Sequence, residues 1–271
     1  MKTSGLIHSL ETLKPYLGDL VICGAWAWYL YRKYLGRGNR LPQDFTRDLD
    51  CASSGRIPVR GTPLAGQLDA AGFKWVPQGD DIPPVAHFRW PTIDHPDVEV
   101  QFLTPVRGDG SRRVIEVQEQ VTAEALRNLD ILLDNPLSLD VDEVDEGSSF
   151  RGKVKVPRVG HFVVQKALIF EGRSSGDRAK DFAYVFDLID SAHGFAESVA
   201  KDVLAAEKGT WSAEARRFEE RLKREFASPA FLRAIGNQWP LEDRPPLKYL
   251  EREVELWLQR LDRARRTSKT K

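Results

Sequence analysis

Leu6, Leu10, Leu13 and Leu17 recur at helical spacing and predict one amphipathic helix over residues 4–17. A short apolar run at 19–23 stops at Gly24, the pattern of a buried strand that ends in a sharp turn. Residues 25–35, rich in Trp and Tyr, predict a helix, and the polar stretch 36–43 a loop. Residues 45–52 then read as a strand, 63–71 as a helix, and 85–90 and 97–104 as strands with period-2 alternation. Elements mixed at this spacing predict an α/β (α+β) fold with a mixed, twisted sheet over residues 1–157. From residue 158 to 271 the pattern is that of a C-terminal helical domain, with helices at 162–171, 179–191, 197–206, 213–226 and 247–265. The last of these carries Leu247, Leu250, Val254, Trp257, Leu258 and Leu261 on one stripe, which needs a packing partner.

Composition narrows the class. Forty basic residues balance forty acidic ones in 271 residues, so no global field marks a nucleic-acid or membrane binder. No stretch nears the ~20 apolar residues of a membrane helix, and no charged N-terminal region precedes an apolar run, so a cytoplasmic protein without membrane partners is expected. Cys23 and Cys51 lack metal-ligand spacing and read as buried thiols, a disulfide between them being the alternative. The acidic stretch 140–146 reads as a solvated loop, and the basic C-terminal tail as a frayed helix end rather than a nucleic-acid arm. No Cys/His cluster argues for zinc.

The chemistry concentrates on carboxylates. Thr46-Arg47-Asp48-Leu49-Asp50 places two acids two residues apart. On a strand they share a face, about 6 to 7 Å apart, while Leu49 points to the core. Such a pair suits magnesium, which takes oxygen ligands and completes its shell with water and substrate phosphates. By itself the pair is weak evidence and reads more readily as two solvent-facing acids on an edge strand. Two further features change the balance. Gly24-Ala25-Trp26 ends one strand and opens a helix whose first N–H groups can meet phosphate. Val98-Glu99-Val100-Gln101-Phe102 is a second acid-bearing strand, with Glu99 and Gln101 on one face.

The order of these motifs, followed by Lys166, Arg173 and Lys180-Asp181, resembles the polymerase-β-type nucleotidyltransferase superfamily. More narrowly it is similar to bacterial nucleotidyltransferase-like proteins that include the abortive-infection toxin group. The resemblance, over about residues 18–190, implies a nucleotidyltransferase that uses two Mg2+ ions and a nucleoside triphosphate such as ATP. It implies that Asp48, Asp50 and Glu99 are the catalytic, metal-binding acids. It further implies that Gly24, Ala25, Thr46, Lys166 and Asp181 serve the nucleotide. The acceptor stays open among tRNA or other RNA, a protein and a small molecule, and an antitoxin partner is implied if the chain is a toxin. Ala25 followed by the bulky Trp26 departs from the small pair usual after the glycine, and Gln101 is as well placed as Glu99 for an acid. A catalytically silent nucleotide-, RNA- or partner-binding protein of the same fold is therefore the alternative.

Other conspicuous residues carry bland readings beside these. Lys166 can be a lysine whose head snorkels from a core helix, and Asp181 a helix-start acid. His87 and Arg89 alternate on the strand before Glu99 and can border the same cleft. Trp26, Trp28 and Tyr29 surround a helix and read as core.

Overall fold

A computed structural model describes residues 3–36, 48–78, 85–91, 98–108, 113–145 and 147–269. Thr46 and part of the loop at 36–43 lie outside the described residues. The chain divides into two compact units, one of Met1–Tyr29 with Asp44–Pro157, the other of Leu30–Gln43 with Arg158–Lys271. The fold is mixed α/β, with a helical C-terminal part. Among the described residues no helix is long and apolar enough to cross a membrane.

The first unit begins with α1 (Ser4–Thr12). The helix expected to run on to residue 17 ends here, and Lys14–Tyr16 forms a separate 3-10 turn. Pro15 is the reason, since it has no N–H to donate and its ring collides with the carbonyl four residues back. There follow β1 (Val21–Ile22), α2 (Gly24–Tyr34), β2 (Asp48–Ala52), α3 (Leu64–Ala70), β3 (Lys74–Gln78), β4 (Val85–Trp90) and β5 (Val98–Pro105). Then come β6 (Val114–Gln118), β7 (Val121–Leu126), α4 (Asp130–Leu133), β8 (Leu137–Asp145) and β9 (Ser148–Val156). The main sheet has the order β1-β2-β5-β4-β3, with β7 beside the end of β5 and β6 beyond it. Pairs β2/β5 and β5/β7 are parallel and the rest antiparallel.

Alternation divides this sheet into two unlike faces. Leu49, Val100, Phe88 and Phe102 are buried on one, and α1 lies against it so closely that a Cβ on Gly5 would stand 2.2 Å from Val98 Cγ2. His8 of α1 stacks on Trp90 with ring centroids 3.9 Å apart. The opposite face carries Asp48, Asp50, Glu99, Gln101, His87 and Arg89.

The acidic stretch expected as a loop is instead strand β8, paired along its whole length with β9. Its acids alternate outward against cations of β9: Asp140 meets Lys153 at 2.8 Å and Asp142 meets Arg151. Cross-strand charge pairing replaces the repulsion that made the run look unfit for a strand. Glu143 points inward, is fully buried, and accepts from the Tyr29 hydroxyl at 3.2 Å. Asp145 accepts from the backbone amides of Thr3 and Ser4, capping the first turn of α1.

The second unit, besides the end of α2, contains α5 (Val159–Leu168), α6 (Ser175–Ile189), α7 (Ala196–Lys208), α8 (Ser212–Phe226), α9 (Pro229–Gly236) and α10 (Leu247–Lys269). Helix α5 is buried on nearly every side, as its all-round apolar sequence requires. Phe170, Phe182, Phe226 and Phe231 pack edge-on or tilted around it and α6. The stripe on α10 finds its partner in α7 and α8, where Trp257 packs against Phe218 and donates to the Ala196 carbonyl at 3.0 Å.

Candidate active site

The arrangement around β2 starts from a turn. Cys23 continues the pairing of β1 by donating its N–H to the Asp50 carbonyl at 2.8 Å, and the chain then reverses at Gly24 to begin α2. Gly24 has φ +62°, and a Cβ there would lie 2.1 Å from Asp50 Oδ2. Left-handed backbone and close approach both require glycine at this position. The N-terminus of α2, the positive end of its dipole, is thereby set against the Asp50 carboxylate. Ala25, Trp26, Trp28 and Tyr29 are buried, as core residues.

Register assembles the polar face. Asp48 lies beside Glu99 and Asp50 beside Gln101 on the parallel neighbour β5. On β4, Arg89 lies beside Glu99 and His87 beside Gln101. Residues in register share a face, so six polar side chains form a patch two residues deep across three strands. The two aspartates are half-buried, whereas Leu49 and Cys51 between and after them are fully buried. Arg89 grips Glu99 Oε1 from Nε at 2.8 Å and from its terminal nitrogen at 2.5 Å. His87 Nδ1 stands 3.5 Å from Glu99 Oε2. Among the described residues no group of three or more His, Cys, Asp or Glu is gathered for a metal ion. The donor set that does fit a hard cation is the aspartate pair, two same-face carboxylates beside a glycine cradle. Behind them, burial first and then the charges of Asp50 and Cys23 push the Cys51 thiol well up, so it stays protonated; Cys23 and Cys51 are thiols and not a disulfide.

A second charged group lies within the helical unit. Lys166 on α5 donates to Asp181 Oδ1 at 2.7 Å, and Arg173 Nε donates to Asp181 Oδ2 at 3.2 Å. Lys166 and Asp181 are 7% and 3% exposed, so Lys166 does not snorkel to solvent. Nor does Asp181 begin a helix, because α6 starts at Ser175, where the Ser174 side chain accepts from the Asp177 amide. Helix α5 is held in turn by Asp202, which accepts from Arg158 Nε at 2.9 Å and from the Gly160 amide at 3.2 Å.

A protein-family model described as nucleotidyltransferase matches residues 2–207 of the chain. The chain belongs to the nucleotidyltransferase family. No curated protein and no solved structure matches it. The enzyme is thus a transferase of nucleotidyl groups with a nucleoside triphosphate as substrate, and the matched span includes Gly24, both aspartates, Glu99, Lys166 and Asp181.

This nucleotidyltransferase also holds a charged trio that its residue pattern did not single out. Arg32 Nε lies 3.2 Å from Asp187 Oδ2, and His193 Nδ1 3.1 Å from Asp187 Oδ1. Burial works to lower the His193 pKa, but the hydrogen bond and charge of Asp187 outweigh it and the net shift is upward. An arginine at the end of an aromatic-rich helix was the available signal.

Proposed function

We propose that the chain moves a nucleoside monophosphate from a nucleoside triphosphate to an acceptor hydroxyl at the face bearing Asp48 and Asp50. The observation that carries this is the contact between Gly24 and Asp50, which places a helix N-terminus and a same-face aspartate pair at one point. Asp48 and Asp50 would hold Mg2+, two ions in the full site. Magnesium bound there offsets the charge of the triphosphate and of the attacking and leaving oxygens. The Gly24 and Ala25 amides take phosphate oxygens, and Thr46 would serve either the aspartate strand or a phosphate oxygen. The acceptor oxygen attacks the α-phosphorus, the bond to the bridging oxygen breaks, and pyrophosphate leaves with the electron pair. Arg89 occupies Oε1 of Glu99, so Oε2 is the atom for the acceptor's proton or for a metal. The resemblance also assigns the nucleotide phosphates to Lys166, whose ammonium donates to Asp181.

The grip of Arg89 on Glu99, with no three-donor group among the described residues, favours a second reading in which the fold binds nucleotide without turning it over. A toxin with a small antitoxin partner would keep the first chemistry and change its acceptor. The deciding assay incubates the protein and the Asp48→Ala variant with magnesium and each α-labelled nucleoside triphosphate, with and without cellular RNA and protein. Label transferred only by the parent chain supports the enzyme. Nucleotide binding that survives in Asp48→Ala, without transfer by either protein, supports the silent module. Growth arrest on expression that requires Asp48 would mark the toxin.

A further inference from the structure

A cavity of about 910 Å3 lies between α7 and α10 in the helical unit, lined by four cations, Lys201, Lys208, Arg260 and Arg263. One acid, Glu197, stands among them. In a chain whose charges balance overall, this is a local excess of three positive charges. Among the described residues Lys201, Lys208 and Arg260 make no side-chain hydrogen bond or ion pair, and Arg263 gives only a 3.4 Å bond to the Gln259 carbonyl. Nearby Arg265 behaves quite differently, being tied to Glu207, Glu219 and Asp262. Cations left unpaired around one concavity are available to an outside anion.

We infer that this groove binds the phosphate backbone of a nucleic-acid strand. Lys201 and Lys208 are seven residues apart on one face of α7, about 10 Å along the helix. That is about the axial length of three phosphates of one strand. The floor is Ala200, Leu204 and Ala264, with no aromatic side chain to anchor a protein partner or to stack on a base. The lining therefore reads charge and not sequence. The assignment stands apart from catalysis; only the corollary, that the acceptor is a nucleic acid, rests on the proposed transfer.

The test is fluorescence anisotropy of a labelled 20-nucleotide RNA with the full chain, without nucleotide or metal, at 50 and 200 mM salt. Four phosphate contacts predict an affinity falling about 50-fold between these salts. The quadruple variant K201A/K208A/R260A/R263A should lose at least about tenfold in affinity at low salt and most of the salt dependence, with unchanged helical circular dichroism. Lys223→Ala, which removes a cation outside the groove, should leave binding intact. A DNA strand of the same sequence separates the sources: equal binding means phosphate recognition alone, and tighter RNA binding adds the 2′-hydroxyl. Unchanged RNA affinity in the quadruple variant would overturn the inference, as would polyglutamate binding as tightly as RNA. Because no nucleotide is present, failure of transfer at Asp48 leaves this result readable on its own.

Discussion

The β2 face and the α5–α6 pair hold charge in opposite ways. Asp48 and Asp50 alternate with fully buried neighbours and stay half-exposed, on a face with a glycine turn at one side. Lys166 and Asp181 are almost fully buried and neutralise each other at 2.7 Å. The first arrangement presents two carboxylates on one partly exposed face of the sheet. The second is closed, and removing either partner exposes the fold to an unpaired buried charge. One region should therefore fail in activity when mutated and the other in stability.

The largest effect that would break this comparison is at the aspartates. Asp48→Ala or Asp50→Ala should lower nucleotidyl transfer by about 10³-fold or more, since metal-borne charge stabilisation is worth several kcal/mol. Stability should move by less than about 0.5 to 1 kcal/mol, because neither side chain fills the core. Urea unfolding beside the labelled-nucleotide assay reads both quantities. Transfer that persists in either variant removes these residues from the site.

Asp181→Ala should do the reverse. It leaves Lys166 buried with its main counter-charge gone and should cost about 3 to 5 kcal/mol in unfolding free energy. The double variant Lys166→Met with Asp181→Leu separates charge from packing. It should recover most of that stability, since an apolar pair of similar volume is often neutral or better. If the double variant is stable and still transfers label at the parent rate, Lys166 has no part in handling the nucleotide.

Gly24→Ala joins the two kinds of effect at a smaller scale. A methyl group in left-handed backbone, 2.1 Å from Asp50 Oδ2, forces the carboxylate or the turn to move. Backbone strain of this kind costs about 1 to 3 kcal/mol. Activity should drop about 10²-fold through displacement of Asp50. Full activity in a stable Gly24→Ala protein would show that the contact positions nothing.

How much of this was legible depended on which interactions are local. The aspartate pair and Glu99 lie on strands with clean alternation, and Gly24 stands where an apolar run stops. The register of β2 with β5, which buries Leu49 beside Val100, is by contrast a pairing between segments that neither shows alone. Helices α5 to α8 and α10 were visible from their own periodicity, while α9, only Pro229–Gly236, is too short to show a period. Strand β8 was hidden because its acids are stabilised by cations on β9, a partner that periodicity within one segment does not reveal. Pro15 was a local signal that the leucine spacing overrode. The grip of Arg89 on Glu99 depended on cross-strand register, as the Arg32–Asp187–His193 trio depended on tertiary approach.

That trio gives the smallest and most specific prediction. His193 is partly exposed and its pKa is raised in the folded protein, with Asp187 overcoming the effect of burial. A histidine raised on folding adds stability that is fully present below its unfolded value, near 6.5. That stability is lost as pH climbs through the higher folded value. Stability of the parent chain should therefore fall over the range just above pH 6.5 relative to His193→Gln, whose stability lacks this component. Paired urea titrations across that range measure the difference, and an NMR titration of the ring reads the pKa itself. A His193 pKa at or below 6.5 would mean that burial outweighs Asp187, with the neighbouring Arg32 guanidinium taking most of that carboxylate's charge.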